Sequence, residues 1–276
     1  MKDSTVLVTG ANGFVGCGLC ASLRAVGCEV IRAVRRARAA DELQIGDIDG
    51  GTDWKPALAR PVDAVVHLAA RVHVMRDESD SALEQYRRVN TQGTLNLARQ
   101  CAARGVRRFV FVSTVKVLGE GRETPYQADD PAIPVDPYAI SKWDAEQDLR
   151  RLAVQTGMEV VVVRPPLVYG PGVGANFLRL MRLVDRGLPI PLGAVDNRRS
   201  LVYLGNLVDA IRVCLIHPEA AGRTYLVSDG DDVSTPELIR CIASALERPA
   251  SLLPVPPTVM RVVGRMLGKG AEVDRL

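Results

Sequence analysis

The apolar run Val6-Leu7-Val8 leads straight into Thr9-Gly-Ala-Asn-Gly-Phe-Val-Gly16, and no other feature restricts the fold so tightly. A buried strand that enters a glycine turn and leaves it as a helix is how a chain builds a site for a dinucleotide pyrophosphate. Gly10 permits the tight turn, Gly13 lets backbone N–H groups approach phosphate, and Gly16 lets helix and strand pack closely. The spacing is Gly-x-x-Gly-x-x-Gly rather than Gly-x-Gly-x-x-Gly; its place between strand and helix gives the pattern its force.

The strand–helix rhythm then continues. Val30–Val34, Ala64–Leu68, Phe109–Val112 and Glu159–Val163 read as buried parallel strands. Helical stretches lie around them at Val15–Val26, Leu83–Arg104 and Tyr138–Thr156. The alternation predicts an α/β fold, a Rossmann doubly wound parallel sheet with ligands at the carboxyl ends of its strands. The 276 residues suffice for such a domain over 1–170 and a smaller C-terminal substrate-binding lobe over 171–276, with a return into the sheet late in the chain.

Composition narrows the function classes. Lys plus Arg number 35 and Asp plus Glu 32, so the net charge is +3, too small for the basic patch of a nucleic-acid binder. No stretch is long and apolar enough to span a membrane, and Met1-Lys2-Asp3 runs directly into the first strand, so the expectation is a cytoplasmic enzyme. The cysteines at 17, 20, 28, 101, 214 and 241 lack the paired spacing of a zinc site, and no metal is expected. Cys17-x-x-Cys20 reads as two small residues facing the sheet, with a redox pair at a helix N-terminus as the alternative.

A reacting group is legible at Tyr138-Ala-Ile-Ser-Lys142. Asp136 can cap the helix and Pro137 suits its first position, which puts Tyr138 and Lys142 one turn apart on one face. An ammonium beside a phenol favours phenolate. Bringing a tyrosine pKa from about 10 towards 7 takes roughly 4 kcal/mol, within reach of Lys142 and the positive charge of a nicotinamide. Such a tyrosine can exchange a proton with a sugar hydroxyl during hydride transfer. Upstream, the strand Phe109–Val112 ends in Ser113-Thr114, two hydroxyls at its carboxyl edge, one of which can bond the substrate oxygen; capping is the plainer use of such residues.

Taken together, the motifs resemble the extended short-chain dehydrogenase/reductase family, in its NAD(P)-dependent nucleotide-sugar epimerase, dehydratase and 4-reductase group. They are Thr9-Gly-x-x-Gly-Phe-x-Gly16, Gly46-Asp47-Ile48, His67-Leu-Ala-Ala70, Asn90 with Gly93-Thr94, Ser113-Thr114, Tyr138-x-x-x-Lys142, and Arg164-Pro165 running into Tyr169-Gly-Pro171. The resemblance implies a catalytic Thr114, Tyr138 and Lys142. It implies cofactor contacts from Gly10, Asn12, Gly13, Phe14, Val15 and Gly16, from Asp47 and Ile48 at the adenine, from Leu68, Ala69 and Ala70 along the backbone, and from Ser113, Tyr138, Lys142 and Pro165. Asn176 and Arg199 match positions that contact a nucleotide diphosphate, for which a guanidinium is apt. Lys116, two residues beyond Thr114, is a candidate sugar contact. The resemblance further implies a UDP-sugar substrate and a homodimer formed through Leu83–Arg104 and Tyr138–Thr156. The finer pattern, Val112-Ser-Thr-Val-Lys-Val-Leu-Gly-Glu120 for example, is similar to enzymes of bacterial polysaccharide pathways.

Three positions depart from the pattern. Where NAD-binding relatives carry an acidic residue after the second strand stands Val34, followed by Arg35-Arg36, which favours NADP(H) over NAD(H) and Arg35 as a phosphate contact. Leu167 stands where relatives commonly have Asn, so substrate positioning differs there or the alignment slips by a residue. The sequence stops at Leu276 where relatives continue, which leaves open a C-terminal truncation. The leading expectation is therefore reduction of a UDP-4-keto-6-deoxy-N-acetylhexosamine, with a UDP-glucose or UDP-N-acetylglucosamine 4-epimerase as the alternative. Dehydration is disfavoured, because Val115-Lys116 replace the Asp-Glu pair that would protonate the leaving hydroxyl. A non-catalytic cofactor-binding regulator on the same fold is the third reading.

Overall fold

Seven parallel strands form the main sheet of the computed structural model, which describes residues 2–72, 81–122 and 124–266 and, for 263–266, the backbone alone. In chain order the elements are β1 (Thr5–Thr9), α1 (Phe14–Ala25), β2 (Glu29–Val34), β3 (Glu42–Gln44), β4 (Ala64–His67), α2 (Ala82–Tyr86), a π-helical segment (Arg87–Gly93) and α3 (Thr94–Ala103). There follow β5 (Arg108–Val112), α4 (Pro137–Thr156), β6 (Glu159–Arg164), β7 (Leu167–Tyr169), α5 (Ala175–Asp185), β8 (Leu201–Tyr203), α6 (Leu204–Ile216), β9 (Thr224–Leu226), α7 (Thr235–Ala245) and α8 (Pro257–Met266). The sheet order β3-β2-β1-β4-β5-β6-β9 places the reversal of winding between β1 and β4, where a doubly wound sheet opens its ligand crevice.

The strands form where the sequence is β-branched and apolar. Both faces of β4, β5 and β6 are covered, so Val65, Val66, Phe109, Val110, Val161 and Val163 are fully enclosed. Helix α4 is bounded by strong local signals. Asp136 Oδ1 accepts from Ala139 N at 2.7 Å, Pro137 opens the first turn, and Gly157 ends the helix in the left-handed region at φ 74°.

By its contacts the chain divides into two compact units, Met1–Pro166 with Leu204–Val227, and Leu167–Tyr203 with Ser228–Leu276. The first contains the seven-stranded sheet and a core running through Leu7, Val65, Leu97, Phe109, Phe111, Leu149 and Val162. The second contains the parallel pair β7-β8 and a small core of Val184, Ile190, Ile239, Ile242 and Ala243. Among the described residues, no helix is long and apolar enough to cross a membrane.

Candidate active site

The glycine turn is packed as tightly as backbone allows. Gly10 sits at φ 64°, and a Cβ there would lie 3.0 Å from the Ala69 amide nitrogen. At Gly16 a Cβ would come within 2.2 Å of the Gly10 carbonyl oxygen, so no larger residue fits without moving the turn. Gly13 is the N-cap of α1 and has no side-chain cap, so the donors of the first turn are backbone N–H groups. Asn12 reaches the Arg36 carbonyl at 3.4 Å.

Behind the turn runs a buried polar chain. Thr9 Oγ1 accepts from the amides of Leu68 and Ala69 at 3.2 and 3.1 Å, so its proton goes to His67 Nδ1 at 2.7 Å. His67 Nε2–H then donates to Thr94 Oγ1 at 3.0 Å, whose own proton goes to the Asn90 carbonyl at 2.6 Å. This arrangement fixes a neutral imidazole. Burial, with the Lys142 charge behind it, holds the His67 pKa down at about 3. Asn90 Nδ2 donates to Ser141 Oγ at 3.0 Å, Ser141 Oγ to the Tyr138 carbonyl at 2.8 Å, and Thr91 Oγ1 to the Ser141 carbonyl at 2.9 Å. The π-helical segment supplies Asn90 and Thr91 and closes at Gly93, where a Cβ would meet Ile48 Cγ2 at 2.6 Å, so only glycine fits. The helix bearing Tyr138 and Lys142 is thus stitched to the strand that carries the glycine turn.

Thr114 follows β5 and caps the 3-10 turn Val115–Leu118, its Oγ1 accepting from the Lys116 amide at 3.3 Å. Tyr138 lies edge-on to Tyr86 at 6.3 Å, and its hydroxyl makes no hydrogen bond among the described residues. The sequence reading has Lys142 and the positive charge of a nicotinamide together lowering the Tyr138 pKa, and the groups around the phenol work the other way. Burial first, then the Asp136 carboxylate and Tyr86, push the phenol up to about 12. The Lys142 ammonium donates instead to the Val112 carbonyl at 2.7 Å and lies 3.9 Å from the centre of the Phe111 ring. Burial brings its own pKa down to about 7, against the pull of Glu146.

Glu146 and its partners are the part of the site that the sequence reading missed. Glu146 is fully buried and ion-paired with the equally buried Arg164, Nη2 to Oε2 at 2.6 Å and Nε to Oε1 at 3.0 Å. Ser113, expected at the cofactor, donates its hydroxyl to Glu146 Oε1 at 2.6 Å. A Glu one helical turn beyond Lys142, with an Arg ending the next buried strand, was the available signal.

The remaining predicted residues fall as follows. Asp47 is exposed and Ile48 packs against the core; Leu68, Ala69 and Ala70 follow β4. Pro165 accepts the Val115 amide at 3.1 Å. Arg35, largely exposed, is 3.7 Å from the Asp47 carboxylate. The Lys116 ammonium bonds Asp136 and Glu120 at 2.6 and 2.5 Å. In the second unit, Asn176 is exposed in the first turn of α5, after Ala175 at φ 51°. Arg199 there exchanges backbone hydrogen bonds with Val233, and Leu167 is exposed in β7. Of the cysteine pair only Cys20 faces the core; burial pushes its thiol up, the wrong direction for a redox nucleophile, and Cys17 is exposed. Among the described residues no cluster suits a metal ion.

A parallel sheet of this order, a glycine turn at its first strand, and Thr114, Tyr138 and Lys142 at β5 and α4 define a Rossmann-fold enzyme of the short-chain dehydrogenase/reductase type. Comparison with known proteins makes this specific. The model of the NAD dependent epimerase/dehydratase family matches residues 6–228, and the chain belongs to that family. It is 47% identical to a UDP-glucose 4-epimerase of Vibrio cholerae over 99% of this chain and 85% of that protein. It is 30% identical to the N-acetyl-alpha-D-glucosaminyl-diphospho-ditrans,octacis-undecaprenol 4-epimerase of Escherichia coli O157:H7, over 93% and 77%. Among solved structures, MoeE5 in complex with UDP-glucose and NAD superposes with a TM-score of 0.78 at 27% identity, covering 91% of this chain and 84% of that one. A Thermus thermophilus UDP-glucose 4-epimerase complex with NAD gives 0.74 at 28% identity, covering 91% and 86%. The chain is therefore an enzyme of the nucleotide-sugar 4-epimerase/reductase kind, and these likenesses support the epimerase alternative better than the reductase reading.

Proposed function

We propose that this enzyme is an NAD-dependent UDP-sugar 4-epimerase acting on UDP-glucose or its N-acetylated counterpart. The observation that carries the reading is 47% identity, across 99% of the chain, to a UDP-glucose 4-epimerase. The glycine turn suits a dinucleotide, because Gly16 lets α1 pack directly against the turn and the uncapped start of α1 offers backbone donors to a pyrophosphate. In this reading Gly10–Gly16 hold the pyrophosphate, Asp47 and Ile48 the adenine, and Leu68–Ala70, Ser113 and Pro165 the remaining length.

When bound, NAD supplies a hydride acceptor and donor together with a positive charge that favours the Tyr138 phenolate. Tyr138 would take the proton from the 4-hydroxyl as carbon 4 loses its hydride, and return it to the same oxygen when the turned 4-keto sugar regains hydride on its other face. Thr114 orients the reacting oxygen, and Lys142 holds the ribose and the charge balance of the site. Asn176 and Arg199 of the second unit bind the diphosphate. A homodimer through α3 and α4 completes the reading; Val154, 89% exposed on α4, is the residue to change to Glu when light scattering tests it.

A reductase using NADPH is the second reading, favoured by Val34 and Arg35 where a carboxylate would select NAD. Asp47, 3.7 Å from Arg35, offsets part of the charge a 2′-phosphate would need. The deciding experiment gives purified protein NAD and UDP-glucose or UDP-N-acetylglucosamine. Interconversion at carbon 4 without net cofactor consumption, abolished by Tyr138→Phe, is the expected result. No interconversion, with stoichiometric NADPH oxidation on UDP-4-keto-6-deoxy-N-acetylglucosamine, would replace it with the reductase.

A further inference from the structure

Lys116 is placed by sequence where a sugar contact could lie, yet its ammonium is engaged by two carboxylates. Asp136 Oδ2 stands 2.6 Å away and Glu120 Oε1 2.5 Å. Asp136 is no ordinary surface partner: its side chain is only 15% exposed, and its other oxygen caps the Tyr138 helix at Ala139 N, 2.7 Å away. Lys116 itself belongs to the 3-10 turn capped by Thr114, and that turn is bound to Ile133 and Pro165 through the backbone of Val117 and Val115. A single side chain therefore joins the turn capped by Thr114 to the N-cap residue of the helix that carries Tyr138.

The cap has an electrostatic cost for the chemistry. Aspartate suits a helix N-terminus, where its side chain and charge both stabilise the first turn. It also stands two residues before a phenol that must ionise, and a nearby negative charge opposes phenolate. The other groups facing Tyr138 offer little relief. Tyr86 meets it edge-on with Arg71 5.4 Å over the far ring, and the Lys142 ammonium is turned to the Val112 carbonyl. Burial disfavours the Lys116 charge, but its bonds to Asp136 and Glu120 outweigh that and raise its pKa, so it stays cationic wherever the enzyme works.

We propose that Lys116 is a positioning residue: by holding Asp136 it fixes the Thr114 turn against the Tyr138 helix and offsets the charge of the carboxylate that caps that helix, two residues before the phenol. The proposal rests on Tyr138 as the acid/base of the proposed epimerase, and its test includes a measurement independent of turnover. Tyrosine labelled with carbon-13 at Cζ reports phenolate by chemical shift, and the Tyr138 signal is the one missing in Tyr138→Phe. At pH 11, in protein shown to be folded by circular dichroism, Lys116→Met should reduce the Tyr138 phenolate fraction roughly tenfold, a shift on the order of one unit. Lys116→Arg should preserve the fraction, and adding Asp136→Asn to Lys116→Met should restore it, because Asn still caps the helix. In turnover, the acid limb of kcat/KM should move to higher pH in Lys116→Met while KM for the sugar changes less than about twofold. An unmoved Tyr138 signal, a loss that Asp136→Asn does not repair, or a raised KM with an unchanged pH profile would each overturn the proposal, the last by making Lys116 a sugar ligand. Absence of epimerisation in the wild type would remove the proposed function, and the phenolate measurement would still decide the role of Lys116.

Discussion

Lys142 shows what a buried charge costs in stability. The residue is 1% exposed, its ammonium lies against the Val112 carbonyl and the Phe111 ring, and burial brings its pKa from 10.5 to about 7. Below pH 7 both folded and unfolded chains carry the proton, so the native state bears the full cost. Between about 7 and 10.5 the unfolded chain holds the extra proton, and stability rises with pH. Lys142→Met should therefore stabilise the protein at pH 6 by ~2 kcal/mol after loss of the Val112 bond, while abolishing activity. Thermal melts at pH 6 and pH 10 check this, and the gain should shrink towards the higher pH. His67 gives a matching rise with pH in a lower window. Its folded pKa of about 3 lies below the ordinary 6.5, so the unfolded chain takes up the proton first and stability falls as pH drops through that window. A decline of about 2 kcal/mol between pH 6 and 4, flattened in His67→Gln, is the expected outcome of urea titrations. Neither shift is legible in sequence, because each depends on what surrounds the ring or ammonium in space.

Elements differ in how much of them local rules decide. Helix α4 is readable end to end: Asp136, Pro137 and Gly157 act through their own backbone and near neighbours. The strands β1, β2, β4, β5 and β6 are readable because burial on both faces makes them continuous apolar runs. The three-residue strands β3, β7, β8 and β9 are not, since so short a run carries no period. The π-helical segment reads as ordinary helix in sequence, because the contacts that accompany it, Gly93 against Ile48 and the side-chain bonds to α4, join residues far apart in the chain. Thr114, Tyr138 and Lys142 stand out as motif, whereas Glu146 and Arg164 meet only after β5, β6 and α4 have assembled. That pair yields an element-scale prediction. Arg164→Met leaves the Glu146 carboxylate buried with only the Ser113 hydroxyl and a long contact to Arg150, and should cost about 3–5 kcal/mol in urea unfolding. Glu146→Leu added to Arg164→Met should recover most of that loss; a double variant no more stable than the single one would show that the pair serves packing alone.

At the scale of the whole molecule, the two units have unequal means of holding together. The first closes both faces of a seven-stranded sheet over Leu7, Val65, Phe109, Phe111 and Val162, and threads the Thr9–His67–Thr94 chain through it. The second relies on Val184, Ile190, Ile239, Ile242 and Ala243, with partly buried neighbours such as Phe177 and Leu180, around a two-stranded sheet. Its segments also carry the weakest sequence signals, because a small core leaves most side chains half exposed and blurs any period. Local opening follows the density of buried apolar contacts, so the amides of β1, β4, β5 and β6 should exchange only on global unfolding. Those of α5 and α7 should exchange through a partial opening of lower free energy, and at lower urea. Native-state hydrogen exchange followed by mass spectrometry resolves the two sets. If Asn176 and Arg199 hold the diphosphate as proposed, a UDP-sugar should raise that lower free energy by RT ln(1 + [L]/Kd), about 2.7 kcal/mol at a hundredfold excess over Kd, with less effect on the strands. If all these amides instead exchanged at one free energy, and the sugar moved them together, the two units would unfold as one, and the small core of the second would owe its stability to the first.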